Sequence, residues 1–167
     1  MKRTVLLLFL ISITSCIYIR NDDDDVITEP YESAYEPIII TRSEFENSTA
    51  LSNAIANEKS GKIYLKDNFL IINEVNKGFH IYNNSNPENP IKIGFLKVLG
   101  STDLSIKGDV AYANNAVDLI AIKINTTFNE IEVTKRIRNV FPEKTAPDGF
   151  RHTNDDEVVL DWILKTN

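Results

Sequence analysis

The feature that most constrains this chain is a stretch that occurs twice. The segment "KDNFLIINEVNKGFHIYNNSNPENPIKIGFLKV" (66–98) aligns with "KGDVAYANNAVDLIAIKINTTFNEIEVTKRI" (107–137). Lys66 meets Lys107, Phe69 meets Val110 and Asn73 meets Asn114, an offset of 41. The second inner turn, "NAVD", is one residue shorter than "EVNKG", and the offset then falls to 40. From there Phe79 meets Leu119, Ile81 meets Ala121, Ile91 meets Ile131 and Ile93 meets Val133.

Within the first copy, 63–66, 69–74, 79–83 and 91–98 are β-branched or aromatic runs separated by "KDN", "NKG" and "NSNPENP". Asp67-Asn68 and Asn76-Lys77-Gly78 carry tight-turn chemistry, because Asn and Gly tolerate positive φ. Pro87 and Pro90 cannot donate to a ladder and mark the longer link into the last strand. There Ile91, Ile93 and Phe95 alternate with Lys92 and Gly94, the pattern of a half-buried strand. The middle strands, "FLII" and "LIAI", are apolar on both sides, as expected where other sheets cover both faces. Short strands repeating near 40 residues are the sign of propeller-type blades, each a four-stranded sheet. The predicted fold is therefore all-β, with antiparallel four-stranded sheets as blade-like repeats over 61–101 and 102–141. A partial third unit is expected in "EVVLDWIL" (157–164), with the ring incomplete.

"GFHIYNNSNPENPIKIG" (78–94) resembles a blade of the LVIVD-repeat family of β-propeller proteins. In that pattern an apolar strand ends in an acid, then come a small residue, Asn-Pro, and a second Pro opening the outer strand. Asn86-Pro87 and Asn89-Pro90 match, while Asn83 stands where the family usually has Asp. The second copy, "DLIAIKINTTFNEIEV" (118–133), has Lys123 for the acid and lacks both prolines. The wider segment 35–141, with "RSEFENS", resembles the start of larger Gram-negative surface lipoproteins carrying such repeats. The resemblance implies a binding or scaffolding propeller with no assigned reaction.

Propellers close with about four to eight blades, and repeat units cannot bury their apolar faces alone. Two repeats and one extra strand therefore imply either a small β-sandwich or, the preferred reading, a truncated remnant. Trp162 and the two-sided middle strands would then expose apolar area that invites another chain. Before the repeats, 38–60 reads as a lead-in. Ser43 and Glu46 fit a capping box there, predicting a short helix over about 44–53. The prolines, glycine and charges of "PEKTAPDGFRHTNDD" (142–156) predict a long loop.

The N-terminus bears on location. Lys2 and Arg3 precede a short apolar run (5–11), the pattern of a secretory signal and too short to span a bilayer. Ile13-Thr14-Ser15-Cys16 then resembles a bacterial lipoprotein signal, which implies cleavage after residue 15 and acylation of Cys16. An ordinary signal peptide with an incidental cysteine is the plainer alternative. Cys16 is the one cysteine of the chain; left free in an oxidising compartment it would be a reactive thiol, and thioether formation removes it. Each buried CH₂ of an acyl chain contributes about 0.8 kcal/mol, so two or three chains hold a protein on a membrane. Asp22, Asp23, Asp24 and Asp25 lie in a segment, 16–37, expected to be a solvated acidic tether. Such runs resemble a surface-export signal, so surface and periplasmic faces of the outer membrane both stay open.

Chemistry is sparse elsewhere. Without Lys2 and Arg3 the formal charge moves from −6 to −8, a poor basis for nucleic-acid binding. His80 lies inside an apolar strand and reads as a packed histidine rather than a base. His152, near Asp155 and Asp156, lacks an accompanying nucleophile. Two distant histidines cannot supply a zinc site, and neither "NDDDD" nor "TNDDE" (153–157) has EF-hand spacing. The sequons at Asn47, Asn83 and Asn125 read as turn residues. No catalytic residue, metal or cofactor is expected. The reading is a lipid-anchored cell-envelope protein with a non-catalytic binding or scaffolding role and a protein or glycan partner. A hydrolase with its site in the blade loops is the first alternative. A carbohydrate-binding accessory is the second, for which Tyr64, Tyr82 and Tyr112 would have to share a face.

Overall fold

Tight turns and β-branched runs give an all-β architecture of antiparallel strands with one short helix. The computed structural model describes residues 32–166, so Cys16, the segment 1–15 and the acidic run at 22–25 lie outside the described residues. In chain order come β1 (Tyr35–Thr41), helix α1 (Arg42–Glu46), β2 (Ala50–Ser52), β3 (Ser60–Lys66), β4 (Phe69–Glu74) and β5 (Gly78–Asn83). There follow β6 (Ile91–Lys97), β7 (Leu104–Lys107), β8 (Val110–Asn115), β9 (Asp118–Ile124), β10 (Ile131–Ile137) and β11 (Glu157–Leu164). They form three open sheets in the orders β2-β6-β5-β4-β3, β10-β9-β8-β7 and β1-β11.

The first two sheets share a register. Ile63 pairs with Ile72 and Tyr64 with Ile71; 41 residues later Leu104 pairs with Ala113 and Ser105 with Tyr112. Ile71 pairs with Ile81 and Asn73 with Phe79, as Tyr112 pairs with Ala121 and Asn114 with Leu119. The first turns match as well: Asp67 has φ 51° and Gly108 has φ 61°. Both last strands carry a bulge, which leaves Ile93 out of the ladder in β6 and Thr134 in β10. That places Lys92 opposite Tyr82 and Val133 opposite Ile122, an offset of 41 rather than the 40 of the sequence alignment. Between the corresponding ladder pairs Asn83–Ile91 and Lys123–Glu132 the second copy has one residue more, which restores what the shorter turn at Ala116-Val117 removed. The bulge also breaks the expected alternation in β6: Ile91 and Ile93 are exposed, and Gly94, Phe95 and Leu96 are buried.

Side chains paired across strands share a face. Tyr64, Ile71, Phe79 and Ile81 therefore point one way from the first sheet, and Leu104, Ala111, Ala113, Ile120 and Ile122 point one way from the second. These residues meet in one core, with Ile71, Phe79, Ile120 and Ile122 wholly buried. Each such aliphatic or aromatic side chain contributes about 2 kcal/mol on burial. The ring of Phe69, at the start of β4, and that of Phe128, in the loop between β9 and β10, have centroids 4.5 Å apart.

Three expectations are corrected. The first sheet has five strands, because β2 adds beside β6. Residues 53–59 then run back from the β2 edge to the β3 edge, with the Lys92 ammonium donating to the Ile55 carbonyl and Asn57 to the Tyr82 hydroxyl. The helix is shorter and earlier than 44–53. Thr41, not Ser43, caps it, accepting from the Glu44 amide and donating to the Glu44 carboxylate. Finally, regular structure begins before residue 37, the expected end of the tether. Ser33 donates to Asp148, and β1 pairs with β11 from Tyr35–Leu164 to Thr41–Glu157. The expected third-unit strand is thus half of a two-stranded sheet closed by the chain's own lead-in. Trp162 is half-buried there, its indole N–H donating to the Lys144 carbonyl, and exposure falls instead on Ile163 and Leu164. Residues 142–156 form the expected loop.

Candidate functional site

The face of the second sheet turned away from the first holds a cleft of about 600 Å³. Its floor comes from Tyr112, Asn114 and Leu119, and Phe141, Pro142 and Val159 border it. Alternation in β8 and β9 puts Tyr112 and Leu119 outside because Ala111, Ala113, Ile120 and Ile122 face the core. By register, Tyr112 occupies the place that Ile71 holds in the first sheet. Ile71 is wholly buried under the second sheet, whereas Tyr112 is 41% exposed.

The rim of the cleft is pinned by polar contacts. Asn114 accepts from the amides of Thr102 and Asp103 and donates to the Gly100 carbonyl. Its register counterpart Asn73 donates to the carbonyls of Gly78 and Ser101. Asp103 takes the Lys62 ammonium and the Tyr64 hydroxyl, and these donors hold its carboxyl below the usual range. Burial, together with that bond to Asp103, pushes the Tyr64 hydroxyl up to about 12.

Helix α1, which follows β1, is held against the second sheet by a buried charge cluster. Asp118 is fully buried and accepts from Arg42 and Arg136, each Nη1 at 2.8 Å, and from the Asn139 amide at 3.1 Å. Burial alone would raise the Asp118 carboxyl; the bonds from Arg136, Asn139 and Arg42 outweigh it and hold it low. Both guanidinium groups also lie over the buried Phe45 ring, at 5.6 and 5.3 Å. None of these five residues stands out in the sequence. The usable signal is a charge set inside apolar strands, Asp118 before "LIAI" and Arg136 between β10 residues.

The residues weighed for chemistry are dispersed. His80 is wholly buried, with Nε2 2.9 Å from Glu74 and its ring against Phe95. Burial raises the Glu74 carboxyl, but His80 and the amides of Lys59 and Glu58 lower it further, so its net shift is downward. This pair lies beneath residues 53–59, on the face opposite the second sheet. His152 pairs with Glu157 at 2.6 Å, not with Asp155 or Asp156. Among the described residues no group of three or more His, Cys, Asp or Glu could hold a metal, and no helix is long and apolar enough to cross a membrane. Tyr64 faces the core, Tyr82 meets Asn57 and Tyr112 floors the cleft, so the three do not share a face. Asn47, Asn83 and Asn125 each bond nearby backbone, as turn residues do.

Comparison with family models, with curated proteins and with solved structures finds no match in any of the three.

Proposed function

We propose that this is a lipid-anchored cell-envelope protein whose two larger sheets are successive propeller-type units with a non-catalytic binding or scaffolding role. The observation that carries the binding role is the open outer face of the second sheet. It presents Tyr112 and Leu119 where the first sheet presents Ile71 and Phe79 to a covering sheet. The shared register and shared bulges support reading the sheets as copies, alongside the resemblance of 78–94 to LVIVD-repeat blades. The lipid anchor rests on the sequence around Cys16.

Both parts are tested on protein extracted from membranes. Mass spectrometry should find the polypeptide beginning at an acylated Cys16, and Cys16→Ala should move the protein from the membrane to the soluble fraction. A bare thiol, or an N-terminus elsewhere, overturns the anchor. For the face, Leu119→Glu should abolish adducts formed by a photo-reactive residue at position 112 without altering the circular dichroism of the fold. Adducts that persist unchanged in Leu119→Glu overturn the assignment of that face.

A further inference from the structure

We infer that the outer face of the second sheet takes the outer face of the first sheet of a second copy of this chain. The inference rests on the reading of the two sheets as copies and names the partner of that same face.

Inside one chain, Tyr64, Ile71, Phe79 and Ile81 of the first sheet pack on Leu104, Ala111, Ala113, Ile120 and Ile122 of the second. Shifting each set by one unit gives two further faces. The counterparts of the first set are Ser105, Tyr112, Leu119 and Ala121, the open face described above. The counterparts of the second set are Ile63, Leu70, Ile72, His80 and Tyr82, on the outer face of the first sheet. There Ile63 is 65% exposed, and Leu65, the counterpart of Ile106, is 71% exposed. One copy thus carries both halves of a contact that it already makes internally: the second sheet's half is exposed at Tyr112, while on the first sheet's half His80 is covered within the chain and Ile63 is exposed.

Residues 53–59 lie over the half of that outer face nearest β5 and β6, through Lys92 and Tyr82. On the half made by β3 and β4, residues 58 and 59 reach the Glu74 end, and the pairs Ile63–Ile72 and Leu65–Leu70 lie side by side with Ile63 and Leu65 exposed. The two uncovered strands, about 4.8 Å apart and each about six residues long at roughly 3.3 Å per residue, offer on the order of 200 Å² of projected face. That is below the roughly 800 Å² per partner of a stable interface, so the association is weak and grows with concentration. Anchoring in a membrane plane would raise it. Two different faces meet, so the contact is heterologous and extends into a ring or a row rather than stopping at a symmetric pair.

The test uses the full chain with Cys16→Ser, so that it carries no native thiol and the result does not depend on lipidation. Within one chain the Leu104 amide donates to the Tyr64 hydroxyl at 3.1 Å; the counterparts of these two positions are Ile63 and Ser105. Ile63→Cys and Ser105→Cys are made separately and mixed at about 100 μM, above the dissociation constant expected of a weak interface, with a short bismaleimide. Both positions are exposed, and circular dichroism melting checks each fold. The mixture should give about tenfold more cross-linked dimer than either variant alone. Equal yields from each variant alone indicate a symmetric contact and overturn the proposal. No excess in the mixture, with both variants folded and the rings of Phe69 and Phe128 still in contact, overturns the docking while leaving the reading of the sheets intact.

Discussion

Asp118→Asn separates the contribution of the buried charge cluster from that of the apolar core. The carboxylate is fully buried, while Arg42 and Arg136 are 18% and 11% exposed. The substitution removes the carboxylate that the two guanidinium groups share and leaves Arg42 with Glu46 at 3.8 Å. Breaking a buried pair in this way costs about 3 kcal/mol or more. For a folded unit of this size, with about 4 °C of melting temperature per kcal/mol, the expected loss is about 12 °C at neutral pH. The sign of the pH dependence follows from the depressed folded-state pKa of Asp118. Its contribution is fully present above the ordinary aspartate pKa of about 4 and is lost as pH falls through the lower folded value. In the parent, stability should therefore drop below about pH 4, with Glu74 and Asp103 contributing in the same sense. Asp118→Asn should be less stable at neutral pH and should lose less on acidification. Circular dichroism melts between about pH 2 and pH 7 measure both. Lys66→Ala, which removes an exposed pair with Asp67, serves as the control and should change stability by under about 0.5 kcal/mol. A variant melting within about 2 °C of the parent at neutral pH, or with an unchanged acid slope, would refute the reasoning.

Three further outcomes follow from packing and backbone geometry. Ile71→Ala, in the wholly buried contact between sheets, should cost about 3 kcal/mol in a denaturant titration, whereas Ile63→Ala should stay within about 0.5 kcal/mol; equal effects would contradict the assignment of faces. A Cβ at Gly78, which has φ 149°, would lie 2.1 Å from the Leu96 carbonyl oxygen, so Gly78→Ala should prevent the parent fold by near-ultraviolet circular dichroism. Gly108→Asp should melt close to the parent, because nothing lies within 4 Å of its Cβ and Asp67 holds the same turn position with φ 51°. In a phenolate absorbance titration, one of the six tyrosines should ionise near pH 12, and Tyr64→Phe should remove that late phase; a late phase that survives the substitution assigns it to another residue.

What could be read from the sequence was what is local. The turns at 67–68 and 108–109 are visible because Asn, Asp and Gly have conformational reasons to stand there, whereas the shortened turn shows through the alignment alone, since Ala116 takes φ 45° without being a turn-favouring residue. The alignment of the last strand slipped by one residue because two loop-length changes compensate, and the bulges at Ile93 and Thr134 carry no sequence signature. β1 escaped notice because its partner β11 lies more than a hundred residues away, and register between distant strands is set by packing rather than by pattern. The capping box was placed two residues late because Ser43-x-x-Glu46 and Thr41-x-x-Glu44 fit the same rule, and only the strand ending at Thr41 decides between them. The Asp118 cluster drew on residues 76 and 18 positions away and could not be found from spacing.

The central claim is that the two larger sheets lie face to face, with the second sheet's other face left open. Nuclear Overhauser contacts in the purified chain at low concentration test it most directly. Strong contacts should join the Phe69 and Phe128 rings, 4.5 Å apart, and the Tyr64 ring to the Leu104 amide, while Tyr112 shows none to any residue of the first sheet. Contacts from Tyr112 to Ile71 or Phe79, or none between Phe69 and Phe128, would contradict the stacking and the open face together.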